Sequence, residues 1–138
     1  MNSSPRRSFV KKTVLGLSAW LGFSSFNRPT AELVNGSFVH VVYFWMKNPD
    51  VTEEKQVFTK NLKSFLDQVD VIRSYHIGEP ANTPREVVDN SYSFALIVIF
   101  DDVSGHDIYQ EHAEHKKFIA DTQHLWSKVQ IYDSVAVG

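Results

Sequence analysis

Hydrophobic and polar positions along the chain alternate with the periods of regular elements from residue 38 onward. The run Phe38 to Met46, FVHVVYFWM, is apolar, aromatic and β-branched, the composition of a strand covered on both faces. Period two sends Phe38, His40, Val42, Phe44 and Met46 to one side and Val39, Val41, Tyr43 and Trp45 to the other. Asn48-Pro49-Asp50 marks a turn, and Asp50 or Thr52 is placed to cap a helix running to about Val69. Phe58, Leu62, Phe65, Leu66 and Val69 form its apolar stripe, and Glu53 and Glu54 suit its positive end. Val71 to Gly78 reads as a second strand, Glu79 to Asn90 as a loop, and Tyr92 to Phe100, YSFALIVIF, as a third strand apolar on both faces. Asp101-Asp102 then caps a helix, a following helical segment continues through Leu125 and Trp126, and Val129 to Val137 closes the pattern as a strand.

The order β-α-β-β-α-β, with its second helical part divided, is the split βαβ arrangement of an α+β sandwich. Helices cover one sheet face. The other face is equally apolar and the chain offers no third layer, so a second copy of the chain is the expected cover, giving a homodimer. A domain of about 100 residues is at the small end for burying a core alone, which strengthens that expectation.

Residues 1 to 31 follow a different pattern. Arg6-Arg7 precede Phe9, Val10 and Lys11, and the stretch from Val14 to Phe26 is apolar with glycines and serines. That order resembles a twin-arginine export signal and is shorter than the about 20 apolar residues of a membrane span. The expected organisation is a signal and linker over 1–31 and a domain over 36–138. The expected partner of the first part is the twin-arginine export machinery, and the expected location is periplasmic or otherwise exported. The chain has 14 basic and 16 acidic residues for a formal net charge of -2. Its basic residues beyond the N-terminus are scattered, which argues against nucleic acid as a partner. The chain has no cysteine, which excludes disulfides, thiol nucleophiles and thiolate metal ligands.

Candidate chemistry concentrates in Ser104 to Phe118, SGHDIYQEHAEHKKF. On a continuous helix Tyr109 lies beside His112 and Glu111 beside His115. Histidine accepts and donates protons near neutrality, and a tyrosine hydroxyl can hold a carbonyl oxygen. The same spacing also describes a solvated helix face. Glu111, His112 and His115 offer imidazole and carboxylate donors suited to zinc or manganese, without a tight ligand spacing; no metal is expected. His40, the one polar group on an apolar strand face, is read either as a core histidine satisfied by one hydrogen bond or as a catalytic group.

These landmarks together resemble the stress-responsive dimeric α/β-barrel family, the Dabb domains. They are His40-Val41-Val42-Tyr43-Phe44, Gly78, Tyr92-Ser93-Phe94-Ala95-Leu96, Phe100-Asp101-Asp102 and Tyr109-Gln110-Glu111-His112-Ala113-Glu114-His115. The last is similar to the family's pattern of a Tyr followed by His-Pro-x-His, with Ala113 in place of the proline. The resemblance implies two ferredoxin-like subunits packed sheet to sheet, each with a pocket between its sheet and its helices. One plant member of the family closes a linear polyketide without a cofactor. By that likeness His115 is the proton-transfer group, Tyr109 orients substrate, His40 is the strand-one histidine, and Val42 and Phe44 line the pocket. Phe94 stands where that member has a further pocket histidine, and His112 is the neighbouring candidate for substrate contact. The expectation is an exported small-molecule pocket protein performing cofactor-free proton transfer, against the alternative of a non-catalytic ligand-binding or stress-protective module.

Overall fold

The structure is a computed structural model that describes Ala31 and residues 37–137. The twin-arginine motif lies outside the described residues. Four strands and three helices follow in the order β1 (Phe38–Met46), α1 (Thr52–Leu66), β2 (Ser74–Gly78), β3 (Phe94–Phe100), α2 (Val103–Glu111), α3 (Ala113–Thr122) and β4 (Trp126–Val135). The strands form one antiparallel sheet in the order β2-β3-β1-β4, the ferredoxin-like α+β topology.

Strict alternation in β1 and β3 divides the sheet. Phe38, His40, Val42, Phe44, Met46, Phe94, Leu96, Val98 and Phe100 are buried beneath the helices. Val39, Val41, Tyr43, Trp45, Ala95, Ile97 and Ile99, on the other face, are only half-buried. The α1 stripe meets the first set: Phe58 packs edge-on to Phe44 and stacks on Phe94, both at 5.0 Å between ring centroids. Phe65 stacks on Phe118 of α3 at 5.3 Å. Truncating a ring such as Phe58, wholly excluded from solvent, costs about 3–5 kcal/mol.

Several element ends differ from the sequence pattern, each for a local reason. Neither Asp50 nor Thr52 caps α1; Val51 precedes it in an extended conformation with no side-chain cap. The Asn48 amide instead donates to the Glu54 carboxylate at 3.0 Å. The helix stops at Leu66, and Val69 reaches the core through tight turns in which Gln68 N–H donates to Phe65 O and Ile72 N–H to Val69 O. Pairing with β3 begins at Ser74 rather than Val71. Trp126, read as helical, opens β4, because Leu125 N–H closes a turn onto Thr122 O and Lys47 N–H then takes the Leu125 carbonyl.

The divided second helix depends on His112. This residue is extended, with φ −64° and ψ 137°, and serves both as the end of α2 and as the cap of α3. Its Nδ1 accepts the Glu114 N–H at 3.2 Å, replacing an unpaired donor at the start of α3. The extended backbone of His112 stops α2 and its imidazole starts α3, and no proline is needed.

Candidate functional site

The break between α2 and α3 changes which side chains meet. On an unbroken helix Tyr109 would neighbour His112; here its ring stacks on that of His115, 4.6 Å between centroids and 30° between planes. His115 Nδ1 lies 3.2 Å from Gln110 O, a carbonyl that α2 leaves unpaired at its end. Since a carbonyl can only accept, Nδ1 carries the proton in the neutral ring, and Nε2 is the basic nitrogen. His40, on β1, lies opposite Asp133 of β4 in the sheet register, and its Nδ1 is 2.6 Å from the Asp133 carboxylate. That bond likewise assigns the His40 lone pair to Nε2.

His40, Tyr109 and His115 all line one cavity of about 150 Å³, together with Gln110 and a wall of Val42, Phe44, Leu96, Phe118, Ile119, Trp126, Val129 and Ile131. A space of that size accommodates a body about as large as benzene. Val42 and Phe44 lie on the wall of the same cavity as the two histidines and the tyrosine. Phe94 does not line it: directly opposite Phe44 in the β1–β3 register, it packs against Phe58 and borders a separate depression with Lys55 and Ile77. His112 is also outside the cavity, its Nδ1 being used to cap α3.

Burial decides the charge states. His115 is held below its ordinary value of 6.5 by loss of solvation, against the bond to Gln110 O and with added repulsion from His40, His106 and His112. His40, 2% exposed, is likewise lowered mainly by burial, although the Asp133 carboxylate pulls the other way. Tyr109, also 2% exposed, is raised well above the ordinary phenol range by burial and by Asp133. At neutral pH the cavity thus presents two neutral imidazoles, each with a free basic nitrogen, and a phenol that stays protonated. The indole N–H of Trp126 is buried without a partner among the described residues, at a cost of about 1–3 kcal/mol.

The cluster Glu111, His112 and His115 does not assemble as a metal site. Glu111 is exposed and pairs with Lys116 Nζ at 2.6 Å, which holds its carboxyl below the usual range, while both histidines spend Nδ1 on backbone groups. The continuous-helix spacing that suggested it ends at His112.

Asp133, His106, Gln110 and Trp126 were not singled out by sequence. Asp133 is 93 positions from His40, and only the β1–β4 register brings them together; the expected strand order contained that signal, but its register did not follow from pattern alone.

The family model described as the Stress responsive A/B Barrel Domain, Dabb, matches residues 38–136. Among curated proteins none matches the chain. A Dabb family protein of ferredoxin-like fold from Mesorhizobium loti is similar in structure, with a TM-score of 0.64 and 22% identity over 75% of this chain and 100% of that one. A dimeric ferredoxin-like protein of unknown function from Thermobifida fusca has a TM-score of 0.62 and 14% identity over 79% and 99%. A hydroxynitrile lyase from Passiflora edulis has a TM-score of 0.64 and 10% identity over 73% and 94%. At these identities the likeness is one of fold.

Proposed function

Because the chain belongs to the stress-responsive A/B barrel (Dabb) family, we propose that it is a dimeric small-molecule pocket protein whose cavity carries out cofactor-free proton transfer next to a carbonyl group. Fold alone selects no reaction, since proteins that share it include a lyase and proteins of unknown function. What supports the reading is the stacked Tyr109 and His115 pair in an apolar cavity shared with His40.

In this reading Nε2 of His115 removes a proton from the carbon beside the carbonyl, and the Tyr109 hydroxyl donates to the oxygen on which negative charge develops. His40 is the second imidazole, held by Asp133 in the tautomer that leaves Nε2 as a further acceptor, and the proton taken up by His115 Nε2 returns to the product from there. Val42, Phe44, Leu96 and Phe118 exclude water and take the apolar body of the substrate. The cavity volume restricts the buried part to a small group.

Two further parts of the proposal concern assembly and location. The half-buried row Val41, Tyr43, Ala95 and Ile97 supports closure of the second sheet face by another copy, and the Thermobifida fusca neighbour is described as dimeric. Arg6-Arg7 ahead of Phe9 and an apolar run supports export by the twin-arginine machinery.

The test is exchange of carbon-bound hydrogen for deuterium in small ketones and β-dicarbonyl compounds, followed by proton NMR with the full chain. Catalysed exchange that falls by about 10² to 10⁴ in His115→Ala is expected of a general base. Ligand binding without exchange would overturn the catalytic reading and favour the binding module.

A further inference from the structure

Outside the proton-transfer site, the His106 side chain has no role in the reading above. His106 sits on α2 with its ring stacked on Phe38 at 4.4 Å and tilted toward His40 at 5.0 Å. The hydrogen bond between His40 and Asp133 is complete without it. Yet His40 from β1, His106 from α2 and Asp133 from β4 each offer a donor atom, and these atoms all lie within 4.8 Å of one another. We propose that His40, His106 and Asp133 form a binding site for a divalent first-row cation of the zinc type at the edge of the cavity.

The donor set suits the ion. Two imidazoles and one carboxylate match zinc, cobalt or iron(II) and leave coordination positions open. Metal–donor bonds of about 2.0–2.2 Å require donor atoms about 3.5 Å apart: the wider pairs lie within 4.8 Å and close by about an ångström, while His40 Nδ1 and Asp133 Oδ1, 2.6 Å apart, open by about as much as the ion replaces their shared proton. The two rings are fixed by packing: His40 is buried within β1, and His106 lies between Phe38 and Tyr109. Asp133 supplies the adjustment, since its side chain is 40% exposed on an edge strand, and that exposure also gives an ion a path from solvent. His106 Nε2 accepts from the Gln110 side-chain N–H at 3.0 Å, an outer contact of the kind that orients metal-bound imidazoles; coordination through Nδ1 requires the Gln110 amide to turn its oxygen toward Nε2, so that the ring proton moves there.

The charge balance is favourable too. Neutral imidazoles and one carboxylate give the site a single negative charge, so a dication leaves a net positive center open to water or to a ligand oxygen. The three donors come from elements far apart in sequence, so an ion would also tie the edge strand β4 and helix α2 to β1. This goes beyond the proton-transfer reading and can be tested without any substrate.

The full chain, purified without a histidine tag and stripped with chelator, is titrated with zinc against a chromogenic chelator at about pH 7.5, where histidine is mostly neutral. Cobalt(II) is then added to a separate sample, and its visible absorption reports the coordination. One equivalent of zinc per chain is expected, with cobalt bands of a low-coordinate site. Asp133→Asn and His106→Gln should each weaken zinc binding by about 100-fold or more, and His124→Gln, at an exposed imidazole outside the cluster, should leave it unchanged. Circular dichroism of each variant separates loss of the site from loss of the fold. Zinc binding that is absent, that survives both cluster substitutions in folded protein, or that falls equally with His124→Gln overturns the proposal.

Discussion

Tyr109 and His115 stack across the break between α2 and α3, although six positions of continuous helix would have set them on different faces. The contact puts a protonated phenol against a neutral imidazole at the wall of one cavity. Its consequences can be separated by substitution.

Tyr109→Phe removes the hydroxyl and keeps the ring. That hydroxyl has no hydrogen-bond partner among the described residues, so the melting free energy should change by less than about 1 kcal/mol. Proton exchange on a carbonyl compound should fall by about 10² to 10³ in kcat, with little change in KM, as loss of an oxyanion donor requires. A stable variant with full activity would remove Tyr109 from the chemistry.

The acid limb of activity should lie below pH 6.5, the ordinary histidine value, because His115 works as a neutral base and burial lowers its folded value. Stability has the same origin. Between the lowered folded value and 6.5 the unfolded chain binds more protons than the folded one, so stability is full above about 6.5 and declines as pH falls through that window. Thermal melts across this range should show the decline, and His115→Gln should make it shallower.

Dimerisation should depend on the half-buried sheet face. Val41 and Ile97 are register partners at its center, and Ile97→Lys would require a buried, unpaired charge in any sheet-to-sheet interface. Sedimentation should give a dimer for the unaltered chain at high micromolar concentration and a monomer for the variant. A dimer that tolerates the lysine would place the contact elsewhere.

Export should require the paired arginines. Residues 1–31 fused to a reporter active only after folded export should direct transport, and changing Arg6 and Arg7 together to lysine should stop it.

Much of the scaffold was legible because alternation is a strong signal. The bounds of β1 follow from its run of apolar residues, and His40, Val42 and Phe44 fall on one face by parity alone. Element ends were less so, since Val69, Val71 and Trp126 are apolar core neighbours whether in a helix, a strand or a turn. The cavity was legible in part through the likeness to a family pattern: His40, Tyr109 and His115 were named, while Asp133 and His106 required tertiary register. Phe94 was assigned by position in a motif, but its neighbour Phe58, a residue of another element, takes up its ring. The Glu111 and His115 spacing failed as a metal pattern because His112 interrupts the helix without any glycine or proline to announce it.

The position of β4 at the sheet edge makes Asp133 a guard against self-assembly. Val129, Ile131 and Val135 share its row and are 37%, 43% and 68% exposed, a sticky strip beside backbone groups that no strand among the described residues pairs. A carboxylate in the middle of that row must be desolvated before a foreign strand can add, which is a recognised defence of exposed edges. Asp133→Val would leave an unbroken β-branched ribbon and should make the chain form fibrils or precipitate on mild heating under conditions in which the unaltered chain does not.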